Sequence, residues 1–485
     1  MDEAVVTEPQ PDLPCPVLAV DLDGTLLRSD MLFESLWSAC ARNWHRPFTA
    51  ALALRQGKAA LKRHLTEHSH IDVTTLPYDS TVIDHIRQFR AAGGRTVLIT
   101  ASDRFLAEEI ADHLGIFDEV HGSDGRTNLK AGAKATLLND RFGAGHYAYM
   151  GDSRADLAIW DQAGRAITVN ASRSLRAAAD ALDPGAEHLA THRASWRAYM
   201  QALRPHQWVK NILVFMPLLA AHAFTPGAVL ASLFAFAAFS LVASAVYVLN
   251  DLVDLRADRA HPRKRERPFA AGRVPIAHGT MMGAGMLAGG TLIALALGGP
   301  FFLVMLGYIG LTTAYSMGLK RRKVIDICVL AGLYTIRIIA GGAATGLPLS
   351  VWMLAFSIFF FFALAAVKRQ AELVDNLKRQ EPGASGRDYS VEDLPIISMM
   401  AIGAGYVSVL VMALYVNAPT TQELYSLPEA LWGICCVLLY WLSRTVMIAH
   451  RGEMHDDPVV YAARDGISRM SFLLIAGFAL AAMLL

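Results

Sequence analysis

The sequence predicts an α/β soluble domain with a small helical cap, followed by an all-α polytopic membrane domain of about nine transmembrane helices. Three observations predict it. In the first 195 residues, short apolar runs that read as buried strands alternate with helical segments. Beyond Lys210, nine apolar segments approach the ~20 residues that a spanning helix needs. Hydrophobic residues make up 54% of the 485 and charged residues 18%, against the roughly 45–50% and ~25% usual in soluble proteins. The mean hydropathy is +0.33.

The chain opens acidic and Pro-rich (MDEAVVTEPQPDLP), without the basic start and long apolar run of a secretory signal. The N-terminal domain is therefore expected to stay in the cytoplasm. VLAVDLDGT, RTVLITASD and YAYMGDS read as strands that end in polar residues. The stretch from Met31 to about Ser69, with spaced aromatics and leucines, suits a helical cap, set at about 31–76. An Ala- and Arg-rich tract over 162–195 then leads into SWRAYMQALRPHQWVKN. The expected domains are 1–195 and 196–485.

The apolar segments lie near 211–223, 227–250, 277–298, 300–318, 324–346, 351–367, 395–416, 428–449 and 467–485, and the first is short. RADRAHPRKRERP follows the second, KRRK the fourth, KRQAELVDNLKRQ the sixth and RGEMHDDP the eighth. The opposite loops TGLPLS and NAPTTQELYSLPEA contain no Lys or Arg. The positive-inside rule then predicts an inner-membrane protein with a cytoplasmic N-terminus and the C-terminus outside. A net charge of +1 gives no case for a nucleic-acid partner. The five cysteines show no metal-ligand spacing and read as reduced and structural.

In DLDGT, Asp21 and Asp23 stand two apart at a strand end, so both side chains leave one face and can meet one ligand. One carboxylate can attack phosphorus while the second protonates the leaving oxygen and later activates water, with Gly24 letting the chain turn away. With the later strand ends VLIT and MGDSRAD, this stretch resembles the haloacid-dehalogenase (HAD) superfamily of phosphatases over roughly 16–165. The resemblance implies a HAD-like (Rossmannoid) fold, Asp21 as nucleophile and Asp23 as general acid/base. It implies Thr100, with Ser102 as alternative, for a phosphate oxygen, and Lys134 or Lys130 to neutralise phosphate. Asp152 would hold Mg²⁺ with Asp21 and the Asp23 carbonyl, and Asp156 completes the acidic pair near the substrate.

In the second half, YVLNDLVDLRADRAHPRKRERP ends an apolar span with Asn250 and Asp251, followed by Asp254 and Asp258. Spacings of three and seven align the three carboxylates on one helix face, where a Mg²⁺–diphosphate complex would neutralise them. This pattern resembles the UbiA superfamily of intramembrane prenyltransferases over about 200–485. Where that superfamily's aromatic-acceptor enzymes carry a second Asp-rich motif, this chain has AAVKRQAELVDN, with Lys368, Arg369 and Glu372. Cations there suit a held phosphate.

LRPHQWVKN and YSMGLKRRKVIDICVLAGLYTIRIIAGG resemble the decaprenyl-phosphate phosphoribosyltransferase branch, which acts in cell wall biosynthesis. That resemblance implies phosphoribosyl pyrophosphate (PRPP) and a polyprenyl phosphate lipid as substrates. Asn250, Asp251, Asp254 and Asp258 would bind Mg²⁺–PRPP, and Lys210, Lys320, Arg337, Lys368 and Arg369 would contact phosphate. Arg337, deep in an apolar span, is expected to face a cavity. Asp456, Asp457, Arg464 and Asp465 either complete the polar pocket or form a salt-bridged loop.

Together the halves read as a bifunctional membrane enzyme whose HAD domain dephosphorylates the phosphoribosyl lipid. An aromatic prenyltransferase using polyprenyl diphosphate, and a lipid-binding membrane phosphatase, are the alternatives. The sequence leaves a homo-oligomer open.

Overall fold

A computed structural model describes residues 15–43, 45–124, 127–191, 195–379, 388–454 and 457–484. It divides into two compact units, Met1–Leu203 with Tyr247–Gly283, and Arg204–Val246 with Ala284–Leu485.

The first unit is built on six parallel strands: β1 (Val17–Val20), β2 (Arg95–Asp103), β3 (Glu119–Ser123), β4 (Tyr147–Gly151), β5 (Arg165–Val169) and β6 (Glu187–Leu189), in the order β3-β2-β1-β4-β5-β6. Helices cover both faces, which is why VLAV and YAYMG are buried throughout. Alternate residues feed two apolar layers. Leu18, Val20, Leu98 and Met150 pack on one side, and Val17, Ala19, Val97, Tyr149 and Trp160 on the other. The strand order reverses between β1 and β4, so a crevice opens at their carboxyl ends. Three helices, Met31–Arg42, Arg46–Leu54 and Lys58–His68, follow β1 and share a small core of Ala39, Ala50 and Leu65. Asp30 caps the first of them through the Leu32 and Phe33 amides.

The segment 247–283 includes the end of the helix Pro226–Val253. Asp254 leaves the helical region at φ −92° and ψ 9°, and the short helix Leu255–Ala260 follows. The three aspartates expected along one helix face are thus divided by a break in the helix.

Among the described residues, eight helices are long and apolar enough to cross a membrane: Pro226–Val253, Ile276–Ala296, Gly299–Met317, Ile325–Thr345, Val351–Lys378, Val391–Val416, Pro428–Arg451 and Gly466–Leu484. The remaining expected span, 211–223, takes another form, a 3₁₀ helix Pro205–Phe215 continued by the α-helix Met216–Ala220. A 3₁₀ helix rises about 2.0 Å per residue against about 1.5 Å for an α-helix, which gives this stretch a length of about 30 Å, the thickness of a hydrocarbon core.

Within the second unit, Arg369 of the helix Val351–Lys378 is fully buried and paired with Asp326 and Glu372, while the Tyr389 hydroxyl donates to Asp326 at 2.6 Å. Expected to touch phosphate, Arg369 is instead locked between two carboxylates, and Glu372 is spent on the same pair. The cause is helical phase. Lys368 and Arg369 differ by about 100° around the axis, so adjacent residues meet different surroundings.

Candidate active sites

The first cluster stands at the carboxyl ends of β1, β2 and β4. Asp21 follows β1 directly and its amide donates to the Met150 carbonyl of β4 at 2.9 Å. Its carboxylate accepts Lys134 Nζ at 2.8 Å, and Lys134 also donates to the Tyr149 hydroxyl at 3.1 Å. Lys134 is buried in the helix Gly132–Phe142, whereas Lys130 is exposed outside it, so geometry brings Lys134 to Asp21 and leaves Lys130 away. Asp23 accepts the Ser102 hydroxyl at 2.6 Å, the Thr100 hydroxyl at 3.4 Å and the Met31 amide at 2.7 Å. The first turn of the cap thus hangs on Asp23. The Thr100 hydroxyl is fully buried and also accepts the Ser102 amide at 2.9 Å.

Asp21, Asp152 and Asp156 offer oxygens that all lie within 4.8 Å of one another, and among the described residues no other such group of three converges this closely. Asp156, expected near the substrate, joins this acidic group. It also accepts the Asp152 amide at 3.2 Å, the Ser153 amide at 2.9 Å and the Ser153 hydroxyl at 2.9 Å, which organises the turn that carries Asp152. Burial pushes the Asp21 carboxyl up to about 6 against the opposing pull of Lys134. Burial, then Asp30, does the same to Asp23, also to about 6. Asp152 is driven well above the usual range by burial and by the charges of Asp21 and Asp156. Carboxylates held this close against a single lysine carry surplus negative charge, and an all-oxygen donor set fits a hard divalent cation.

Gly24 makes the approach possible. It sits at φ +76°, and a Cβ there would lie 2.2 Å from Asp152 Oδ2. A residue the sequence did not single out, Lys62 of the cap helix Lys58–His68, donates to the Ala101 carbonyl and to Asn128 Oδ1 at 3.0 Å. Burial lowers its ammonium, and the charges of Asp23 and Asp30 oppose that. Between this helix and the end of β2, the space bounded by Met31, Ser35, Lys62 and Ser102 has a volume of about 10 Å³.

The second cluster is the Asp-rich segment. Arg267 donates to Asp251 at 3.1 Å and to Asp258 at 2.6 Å, and both carboxylates are buried. Burial raises Asp258 and Arg267 opposes it. Asp254 is exposed at the helix break, and Asn250 is half-buried one turn before it. The two buried carboxylates are therefore already set around a positive charge, which fits them to a cation. Arg267 had passed as one member of a basic run.

The third cluster belongs to the second unit. Lys210 and Lys368 donate to the same oxygen of Asp457, at 2.9 and 3.0 Å, and the Tyr334 hydroxyl donates to its partner oxygen at 3.0 Å. Burial works to raise the Asp457 carboxyl, but Lys368 and Lys210 overcome it and hold it well below the usual range. Arg337 has partners rather than an open cavity. It donates to Asn211 Oδ1 at 2.9 Å, to the Tyr308 hydroxyl at 3.3 Å and to the Leu333 carbonyl, with its guanidinium 5.8 Å from the Tyr334 ring centre. Lys320 lies half-buried in the 3₁₀ turn Leu319–Arg321, without an ion pair among the described residues. The two readings of the last loop divide between residues. Asp457 joins the lysines, whereas Asp465 pairs with Arg444 at 2.7 Å and caps the final helix through Ser468. Arg464 is exposed, and Asp456 lies outside the described residues.

Residues 212–463 match the UbiA prenyltransferase family, and residues 18–160 match haloacid dehalogenase-like hydrolase. An uncharacterised protein, y4nM, of Sinorhizobium fredii is 38% identical over 468 residues, covering 95% of this chain and 89% of that protein. Decaprenyl-phosphate phosphoribosyltransferase of Mycobacterium tuberculosis is 45% identical over 183 residues, 36% of this chain and 59% of that enzyme. A solved UbiA homolog from Archaeoglobus fulgidus, bound to GPP and Mg²⁺, superposes over 59% of this chain and 100% of its own, with 16% identity and a TM-score of 0.45. The chain belongs to the UbiA prenyltransferase family and carries a haloacid dehalogenase-like hydrolase domain at its N-terminus.

Proposed function

We propose that the membrane half transfers 5-phosphoribose from PRPP to a polyprenyl phosphate of decaprenyl type, and that the hydrolase domain removes the 5-phosphate of the lipid product. The observation that carries the reading is the meeting of Lys210 and Lys368 on one oxygen of Asp457, which sets two ammonium groups side by side as donors for a phosphate oxygen. The similarity to decaprenyl-phosphate phosphoribosyltransferase supports the same acceptor.

In the transfer step, Lys210 and Lys368 hold the lipid phosphate, and one of its oxygens attacks C1 of the ribose. The new C1–O bond forms as the bond to pyrophosphate breaks, and pyrophosphate leaves. Asn250, Asp251, Asp254 and Asp258 would hold Mg²⁺ with the diphosphate, which supplies charge neutralisation for the leaving group.

In the hydrolytic step, Asp21 attacks phosphorus and Asp23 gives its proton to the departing sugar oxygen. Asp23 then takes a proton from water as that water attacks the aspartyl-phosphate, releasing phosphate and restoring Asp21. Lys134 and Thr100 hold phosphoryl oxygens. Asp21 and Asp152 would hold Mg²⁺, with Asp156 fixing the turn, and the ion supplies charge neutralisation for the phosphoryl group. In this reading both steps occur at the cytoplasmic face of the inner membrane.

The test is to incubate purified protein with Mg²⁺, radiolabelled PRPP and polyprenyl phosphate, comparing the intact chain with Asp21→Asn. Labelled lipid that keeps its 5-phosphate only in the variant is the expected result. Absence of lipid label under every condition overturns the transfer and turns attention to aromatic acceptors.

A further inference from the structure

We propose that Glu34, in the cap of the hydrolase domain, is a positioning residue for the Asp-rich segment of the transferase, so that the hydrolase cap completes the site in which the first reaction occurs. This rests on the assignment of Asp251 and Asp258 to that site.

Glu34 lies in the first turn of the helix Met31–Arg42 and is buried. It accepts the Ser29 hydroxyl at 2.6 Å and both terminal nitrogens of Arg259, at 2.6 and 3.1 Å. Arg259 follows Asp258 directly, and its Nε donates to the Ala270 carbonyl at 3.2 Å. One guanidinium therefore closes the loop 259–270 at both ends. That loop carries Arg267, the side chain that bridges Asp251 and Asp258. At its other end the strut reaches the hydrolase chemistry, because the Met31 amide that begins the Glu34 helix is held by Asp23.

Two further contacts run beside it. Trp37, one turn on from Glu34 and on the same face, donates to the Thr280 hydroxyl at 2.9 Å. Gly272 approaches so closely that a Cβ would lie 2.8 Å from Arg28 and 3.0 Å from Pro77. An apolar pair of similar volume would hold such a surface together as firmly as a buried ion pair does. What a forked carboxylate–guanidinium pair adds is a fixed angle between the two elements, and the element being fixed here is the one that carries the carboxylates.

The experiment uses the full chain in lipid nanodiscs, with Glu34→Gln, Arg259→Gln and the double variant. Two quantities are read: the Mg²⁺ concentration for half-maximal transfer from PRPP, and hydrogen–deuterium exchange over 255–270. Each single variant is expected to raise the Mg²⁺ requirement about tenfold, the scale of losses when a group that orients metal ligands is removed. The KM for polyprenyl phosphate should stay unchanged, exchange over 255–270 should quicken, and the double variant should be no worse than the worse single.

Partial unfolding would lower the amount of active enzyme without moving the Mg²⁺ requirement, and slow exchange in β1 and β4 reports that the hydrolase core is intact. Should Glu34→Gln fail to fold, Arg259→Lys, which keeps the charge and loses the fork, is expected to show a smaller shift of the same kind. An unchanged Mg²⁺ requirement with unchanged exchange overturns the proposal, as does a double variant whose losses multiply. If the unaltered chain transfers nothing, the transferase reading has failed, and the exchange data alone then decide: protection that survives Glu34→Gln overturns the positioning role, and protection lost supports it.

Discussion

The two acidic clusters of the first unit use the same side chain in nearly the same number, and they are prepared for charge in opposite ways. Asp21 and Asp152 directly follow strands β1 and β4 of the parallel sheet, Asp156 stands in the 3₁₀ turn Arg154–Asp156 just beyond, and Lys134 is the cation in contact with Asp21. Asp251 and Asp258 stand on either side of a helix break, and Arg267 fills the place between them. A sheet edge can store electrostatic strain because its backbone is fixed by neighbours on both sides. A helix end can move, so it can carry its own counter-ion, and under the proposed function that counter-ion would have to share the carboxylates with a metal complex.

The sharpest test of that contrast is Gly24→Ala. The added Cβ meets Asp152 Oδ2, and φ +76° disfavours any side chain. Hydrolysis of p-nitrophenyl phosphate should fall by about 100-fold, roughly 3 kcal/mol of transition-state stabilisation, with ribosyl transfer unchanged. Hydrolysis at the normal rate would mean that the sheet-edge carboxylates tolerate displacement and that their close packing is incidental.

Arg267→Gln probes the other side. With Mg²⁺ removed by chelation, Asp251 and Asp258 lose their counter-ion, and thermal unfolding should show a loss of about 1–2 kcal/mol, since Arg267 is partly exposed and solvent screens part of the pair. Excess Mg²⁺ should restore most of it. A loss that Mg²⁺ leaves untouched would show that these carboxylates need an arginine and not a metal. In the second unit, Lys368→Met should raise the KM for polyprenyl phosphate by about tenfold with little change in kcat, the worth of one charge-assisted hydrogen bond.

The last test concerns pH. Asp21 and Asp23 bind protons more tightly when folded, about 6 against 3.8, so the folded chain holds more protons than the unfolded one in between. Mg²⁺-free protein should therefore lose stability as pH rises from about 4 to about 6, read as a fall in Tm. Mg²⁺ should reverse the loss above pH 6, where its ligands are ionised. A melting temperature that rises over that interval without metal would contradict the strained state of the sheet-edge acids.

The sequence made some of this legible and hid the rest for physical reasons. Strand ends advertise themselves, because a buried apolar run followed by a carboxylate or hydroxyl is a local pattern. Asp21, Asp23, Thr100 and Asp152 could be named without knowing how the strands are ordered. The strands β3, β5 and β6 could not, since Glu119–Ser123 is only half-buried and Glu187–Leu189 has three residues. Lys130 and Lys134 have equal claims by composition, and only the start of the helix at Gly132 separates them. Arg369 and Lys368 are neighbours in sequence with different fates, which a list of basic residues cannot resolve. Glu34 and Lys62 owe their positions to pairings across many residues, and no local signal marks a side chain whose partner is 225 positions away.

The Met31 amide that begins the cap donates to one oxygen of Asp23 at 2.7 Å, and the Ser102 hydroxyl at the end of β2 donates to the other at 2.6 Å. One carboxylate is thus a fastening shared by the cap and the sheet. Hydrogen bonds to an ionised carboxylate are stronger than those to a neutral carboxyl. A proton taken up by Asp23 therefore loosens the fastening on both sides at once, and the grip of the cap on the sheet follows the charge of a single side chain.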